Sequence, residues 1–375
     1  MSEKGANSGA AFLKFKKGGM NAAFNDFLAG LINRGKVAAV LAPQQVPSGG
    51  MAFPALISDP EKIKTDAFAP VLPVATAKMI SALTCEAPLT RRVAAVMPNC
   101  QIRALIELVK LKQADIGNIV IIGIDCPGVF DINDYSNLKE DSETLFTALF
   151  NNVKKTPAKI RSACATCREP IPEYCDIAVG VLGVKDGVML EPRTDKGRDA
   201  LDGAGLDELK DANGRAKAVE EFKKSRAAAD ESFRKEHEKI QGIAEVTKFY
   251  AACINCQNCR TVCPICYCHE CFFRSDNLAQ TPNTLLAKAR ARGSFKMPLD
   301  TLLFHTGRMN HMILSCVECG LCEQACPANI PLMQVLKRVA ADAQSKFNYI
   351  PGRHPDEEMP LKVFREDEFN NVGEE

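Results

Sequence analysis

At 375 residues, 46% hydrophobic and 25% charged, the chain has enough material for two or three soluble domains, and its net charge of +1 gives no global case for nucleic acid or an anionic membrane as partner. Its purely apolar runs are only a few residues, as at Ile119 to Ile122, against the roughly 20 needed to cross a bilayer, so no direct membrane insertion is expected. Seventeen cysteines, an odd number in close clusters, are better explained by metal ligation in a reducing compartment than by disulfides.

The opening stretch, MSEKGANSGAAFLKFKKGG, carries basic residues but neither an apolar h-region nor a small-residue cleavage site, so a cytoplasmic location is expected. From Gly18 to Gly187 short apolar or β-branched runs alternate with amphipathic stretches. KVAAVLAP, RRVAAVMPN, NIVIIGID and DIAVGVLG read as strands, with helices over Asn21 to Asn33 and Gln101 to Gln113. This alternation predicts an α/β sheet domain, taken over residues 1–192.

Several strings in this region resemble the beta-subunit family of deazaflavin-coenzyme-reducing hydrogenases and formate dehydrogenases. KKGGMNAAFNDFLAGLINRGKVAAV is similar to the family's Gly-Gly helix and strand, and VAAVMPNCQIRAL to its strand, Pro-x-Cys-Gln turn and helix. IIGIDCPG resembles the next strand and cysteine, and KIRSACATCREPIPEYCDIAVGVLG the Cys-x2-Cys and Asp-Ile-x-x-Gly segment. Carried over position by position, Cys100, Cys126, Cys164 and Cys167 would hold a 4Fe-4S cluster, with Cys175 in reserve and packing as the alternative for Cys100 and Cys126. The resemblance also implies FAD, for which Gly18, Gly19, Gly49 and Gly50 are the candidate phosphate contacts, although glycines also serve as simple turns. Two departures weaken any implied deazaflavin reduction: TDAFAPVLP stands where the family has a Gly-Ser-Lys-Tyr-like string, and CPGVF replaces its Cys-x-Gly-x-Pro turn.

Residues 193–250 form the next segment, where DELKDANGRAKAVEEFKKSRAAADESFRKEHEKI mixes Ala, Glu, Lys and Arg with opposite charges three or four apart. A long, exposed, charged helix with a thin apolar stripe is expected there, bridging or docking rather than forming core. Acidic residues match the basic ones along it, which argues against a nucleic-acid arm.

Residues 251–340 carry the strongest signal. Cys253, Cys256, Cys259 and Cys263, followed by Pro264, have the C-x2-C-x2-C-x3-C-P spacing of two-cluster ferredoxins, and Cys316, Cys319, Cys322, Cys326 and Pro327 repeat it. In that pattern three thiolates on a tight loop serve one cubane and the fourth reaches the other. The expected sets are therefore Cys253, Cys256, Cys259 and Cys326 for one 4Fe-4S cluster, and Cys316, Cys319, Cys322 and Cys263 for the second. C-x2-C pairs also build four-cysteine zinc knuckles, but two complete ladders that each end in Cys-Pro favour clusters. The predicted unit is a small, helical, loop-rich ferredoxin-type iron-sulfur domain.

Cys266, Cys268 and Cys271 exceed the ferredoxin pattern. Either they ligate a further cluster with a cysteine from elsewhere, such as Cys85 or Cys175, or they are packing thiols. FHTGRMNHMILSCVECGLCEQACPANIPL resembles the dicluster domains of heterodisulfide reductase and formate dehydrogenase accessory subunits. His305, Arg308, His311 and Met312 fall at helical spacing before Cys316, where a cation would raise a cluster's potential; a solvated helix face is the other reading. Residues 341–375, with Pro, Gly and acidic residues, read as an extended tail suited to wrapping a partner, with a disordered terminus as the default.

No molybdopterin, nickel or catalytic-dyad signature is present and the five histidines are scattered, so no catalytic residue is assigned. The expected role is an iron-sulfur beta subunit with three or four clusters, working in a larger anaerobic oxidoreductase. Its expected partners are a formate dehydrogenase or hydrogenase catalytic subunit and a heterodisulfide reductase-like flavoprotein. The alternative is an FAD-containing subunit that itself reduces a deazaflavin or similar acceptor.

Overall fold

A computed structural model describes residues 9–15, 17–47, 50–151, 159–208 and 213–362. Its N-terminal part is built on an eight-stranded mixed sheet. The strands are β1 (Ala11–Lys14), β2 (Ala39–Gln45), β3 (Ala52–Ile57), β4 (Val93–Pro98), β5 (Ile119–Ile124), β6 (Ile177–Gly180), β7 (Gly187–Pro192) and β8 (Asp207–Glu208), in the spatial order β3-β2-β4-β5-β6-β7-β1-β8. The middle four, β2, β4, β5 and β6, are parallel; the outer pairings are antiparallel.

Sequence explains this division. All six residues of β5 are buried, and β4 is buried from Val93 to Met97, as expected of parallel strands covered on both faces. The Gly19–Asn33 helix packs Phe24, Phe27, Leu28 and Leu31 on one side of the sheet together with Val40, Val96 and Val120. On the other side the Asn99–Lys110 helix supplies Ile102, Leu105 and Ile106 to a core that continues without a break into the cysteine ladders.

The charged segment forms a helix over Asn213–Glu236, anchored by buried polar groups. Arg215 makes a two-pronged pair with Asp125 (2.5 and 2.9 Å), and Arg226 donates to the carbonyls of Cys164 (2.7 Å) and Pro127 (2.6 Å). Asp230, fully buried, meets Arg168 (2.5 Å), Arg234 (2.8 Å) and Lys337 (3.0 Å). Most of the helix is exposed and its apolar stripe is thin, as expected; what the expectation lacked is that charged side chains make its inward contacts.

Lys337 itself lies on the Met333–Lys346 helix that follows the second ladder, and it also pairs with Glu318 (2.5 Å) and donates to the carbonyl of Thr166 (3.1 Å). Burial alone would lower its ammonium, but Glu318 and Asp230 outweigh that and hold it raised. Removing one member of such a buried set strands the others, so Lys337→Ala should destabilise the protein by about 3–5 kcal/mol. A fall in apparent melting temperature under anaerobic conditions measures it; an unchanged melting curve would mean that the network adds nothing to stability.

The tail differs from its expectation as far as it is described. Tyr349 donates to Glu107 Oε1 (2.5 Å), as does the Gly352 amide (2.7 Å), and Arg103 donates to the carbonyl of Pro351 (2.8 Å). Residues 348–357 therefore fold back on the Asn99–Lys110 helix of their own chain, because Glu107 is buried and needs donors that the tail provides. Residues 363–375 lie outside the described part.

Candidate metal centres

Both ladders fold with the same backbone turn. The second residue after the first cysteine and the residue after the second cysteine have positive φ in each: Asn255 (53°) and Gln257 (60°), then Glu318 (56°) and Gly320 (73°). Short helices follow at once, Asn258–Thr261 and Leu321–Gln324. Left-handed residues at matched positions curl each loop so that its three thiols face inward, and non-glycine residues hold that conformation at a local cost.

The first thiol group surrounds a cavity of about 320 Å³ whose walls include Cys253, Cys256, Cys259 and Cys326. Cys253 is pushed up by burial and by the neighbouring Cys326 and Cys256, while the Asn255 amide, 3.3 Å from its sulfur, works the other way. Cys256 is exposed and Cys259 buried.

The second group gathers Cys316, Cys319, Cys322 and Cys263. Burial dominates the raised thiols of Cys316, Cys319 and Cys322, and Cys263 is a neighbour of all three. Cys263 is held down, first by a hydrogen bond from Cys266 and also by the adjacent Arg308 guanidinium. Each ladder thus sends its fourth cysteine to the other ladder's group.

The third group brings together Cys100, at the start of the helix after β4, Cys126, beyond the end of β5, Cys164 in the short Ser162–Ala165 helix and Cys167 just after it, before β6. Burial, then the other three thiols, push Cys100 up; Cys126 reaches about 12 and Cys167 about 11, again chiefly through burial. Strand ends gather two of these residues, the usual ligand position in open α/β sheets.

Groups two and three adjoin. Cys319 lies beside Cys100, and a Cβ on Gly320 would fall 2.6 Å from that of Ala163, so only glycine allows this approach at a φ of 73°. Ser162 donates to Glu323 (2.5 Å) across the same seam.

Two arginines mark where negative charge is required. Arg308, 3% exposed, sits among Cys322, Cys263, Cys259 and Cys266; Arg161, 6% exposed, sits among Cys164, Cys319 and Cys100. Two guanidinium nitrogens of each, Nε and Nη2 of Arg308 and Nε and Nη1 of Arg161, find no hydrogen-bond partner among the described residues. A buried cation with unmet donors is costly unless an anion faces it. Thiolate-held iron-sulfur clusters supply that negative charge, so the donor sets fit them. Among the described residues no group of three or more His, Cys, Asp or Glu is placed to hold a single metal ion.

His305 and Tyr250 complete the first group. The rings stack 3.8 Å apart and His305 Nε2 lies 3.3 Å from the Cys253 sulfur. Burial and then Arg308 push His305 down to about 3, so it stays neutral. Of the residues expected to face the ladders as cations, only Arg308 does so; His311 is exposed, and Met312 is buried in the core. Tyr250 was not singled out from sequence, because no motif marks a residue three positions before a ladder.

Cys266 lies against Cys263, Cys268 is exposed and Cys271 half-buried. Cys85 is exposed, and Cys175 is buried with Arg193, Gly123, Asp176 and Glu191 as neighbours. Of the four glycines, Gly18 and Gly19 open the Gly19–Asn33 helix at positive φ, Gly50 has open space around it, and Gly49 lies outside the described residues. A separate, largely apolar cavity of about 590 Å³ lies over the ends of β4 and β5, lined by Met97, Ile124, Cys126, Val129 and Phe146 among others.

Residues 90–214 match the family model for the C-terminal part of the coenzyme F420 hydrogenase/dehydrogenase beta subunit, and residues 249–330 match the 4Fe-4S dicluster domain. The F420-dependent formate dehydrogenase subunit beta of Methanocaldococcus jannaschii is 27% identical over 293 residues, 70% of this chain and 74% of that protein. The F420-dependent formate dehydrogenase 1 subunit beta of Methanococcus maripaludis is 26% identical over 304 residues, 72% of this chain and 74% of that protein. A chain of the F420-reducing [NiFe] hydrogenase complex from Methanosarcina barkeri, derivatised with xenon, aligns at 11% identity with a TM-score of 0.45, covering 65% of this chain and 97% of that one.

Proposed function

We infer, from a chain that unites the F420 hydrogenase/dehydrogenase beta-subunit module with a 4Fe-4S dicluster domain, that the protein is an iron-sulfur electron-transfer beta subunit of a multi-subunit oxidoreductase. Bound 4Fe-4S clusters supply reversible one-electron transfer. Cys253, Cys256, Cys259 and Cys326 would hold one; Cys316, Cys319, Cys322 and Cys263 a second; Cys100, Cys126, Cys164 and Cys167 a third. The observation that carries this reading is the row of three thiol groups running from exposed Cys256 to Cys126 beside the apolar cavity, with a buried arginine at each junction.

The chain's own residues set the conditions at each group. Arg308 and Arg161 offset negative charge, which favours the more reduced state of whatever the thiols hold. Neutral His305 directs a ring nitrogen at the Cys253 sulfur, and the apolar core excludes water from the second group. The proposed partners are a formate dehydrogenase or hydrogenase-type catalytic subunit on one side and a flavin-containing subunit, such as a heterodisulfide reductase-like flavoprotein, on the other. A cytoplasmic setting suits seventeen free thiols, and among the described residues no helix is long and apolar enough to cross a membrane.

Anaerobic purification followed by iron and sulfide assay tests the reading. About twelve irons per chain are expected; about eight would remove the third group, and about sixteen would restore a further cluster at Cys266, Cys268 and Cys271. Zinc in place of iron would overturn the assignment altogether.

A further inference from the structure

We propose that the carboxylate of Glu143 is a built-in occupant of the anion-binding end of the Gly19–Asn33 helix, and that it keeps phosphate-bearing flavins out of this chain. The proposal rests on the relay reading above and specifies that the flavin belongs to a partner.

A helix N-terminus offers unpaired amides and a positive dipole end, so an anion approaching it closely is stabilised. Here the backbone is opened for that approach by Gly18 (φ 111°) and Gly19 (φ 83°), and the first turn contains no acidic residue of its own. The anion comes from elsewhere in the chain. The Met20 amide donates to Glu143 Oε2 (2.7 Å) and the Asn21 amide to Oε1 (2.6 Å), so both carboxylate oxygens are engaged. A Cβ on Gly19 would collide with Oε2, which shows how completely the carboxylate fills the space that glycine leaves.

Glu143 is held there from several sides. Its neighbour Ser142 donates to Asp66 Oδ1 (2.6 Å), which also receives Asn21 Nδ2 (2.8 Å), while Gln45 donates to Oδ2 (2.9 Å). One turn later on the same Ser142–Asn151 helix, Phe146 packs edge-on against Phe68 and Phe150, with centroids 5.4 and 5.3 Å away. Phe146 thus fixes the helix that carries Glu143, and the two amide hydrogen bonds hold its carboxylate at the end of the Gly19–Asn33 helix.

The consequence follows from charge and shape. The cavity beside Cys126, with Phe146 in its wall, is lined largely by apolar side chains. A nucleotide tail running from there to Gly18 and Gly19 would have to displace a carboxylate held by two charge-assisted hydrogen bonds, next to the second carboxylate of Asp66. Of the glycines expected to contact a flavin phosphate, Gly18 and Gly19 therefore do not fit that group.

The isolated full chain, purified anaerobically, should retain no FAD and show no saturable binding in calorimetric titration with FAD. Glu143→Ala should gain FAD affinity by at least about tenfold, while riboflavin, which has no phosphate, binds both proteins alike. Glu143→Gln, which keeps the shape and removes the charge, repeats the test should the alanine variant fold poorly, and iron content reports folding in each. Stoichiometric FAD in the wild-type chain, or variants at full iron content that gain nothing, would overturn the proposal. Either result with about twelve irons present leaves the relay standing, whereas missing iron sinks the relay whatever the flavin does.

Discussion

Cys326→Ala should damage the cluster built on Cys253, Cys256 and Cys259 and spare the ladder in which residue 326 itself lies. Cys326 shares the 320 Å³ cavity with those three thiols and raises Cys253, whereas Cys263 is the thiol that borders Cys316, Cys319 and Cys322. The reverse holds for Cys263→Ala, which should strip the second group although its position is in the first ladder. Each variant should lose up to about four irons and one reducible centre by spectroscopic redox titration, because three thiolates hold a cubane poorly. Both should also melt lower, since ligand bonds between the ladders are part of what folds this domain. A Cys326→Ala protein in which only the Cys316 centre changes would show that each ladder closes on itself.

The second large effect is at the third group. Replacing Cys164 and Cys167 together by serine should remove one centre and about four irons while leaving the two ladder centres intact, because hydroxyl is a hard, weak substitute for thiolate at iron. The surrounding fold should survive: Arg226 holds the carbonyls of Cys164 and Pro127, and neither contact involves a cysteine side chain. Arg161 would then face a group that can no longer offset it, so a modest fall in melting temperature is expected alongside. An unchanged iron count would return these cysteines to packing.

What sequence revealed and what it hid divide by range. The unbroken apolar run of β5 and the doubled cysteine spacing are local patterns, readable from a few consecutive residues. β1 and β8 were not, because their partners are far away in the chain and β8 has only two residues; β3 and β7, which pair with their chain neighbours β2 and β6, lack so continuous an apolar run and were not read either. Asn213–Glu236 was legible as a helix but not as an anchor, since its inward contacts are Arg215, Arg226 and Asp230 and a hydrophobic pattern cannot register them. The same blindness hid Glu143: nothing in SETLFTALF announces that its glutamate caps a helix 123 residues away. The returning tail was missed for the related reason that a Pro-Gly-rich segment reads as open until its buried acceptor, Glu107, is seen.

Lys337, Asp230 and Glu318 join the helix after the second ladder to the charged bridging helix, and Gly320 brings that ladder against Ala163 of the sheet module. Buried ion pairs and a contact that only glycine allows thus tie the two halves together where the second ladder meets the sheet. A seam tied this way is expected to act as fixed wiring, so that thickening the solvent should not slow traffic across it. Any switch that starts or stops the current must then sit at the terminals, where Cys256 meets solvent and where the cavity beside Cys126 meets whatever docks there.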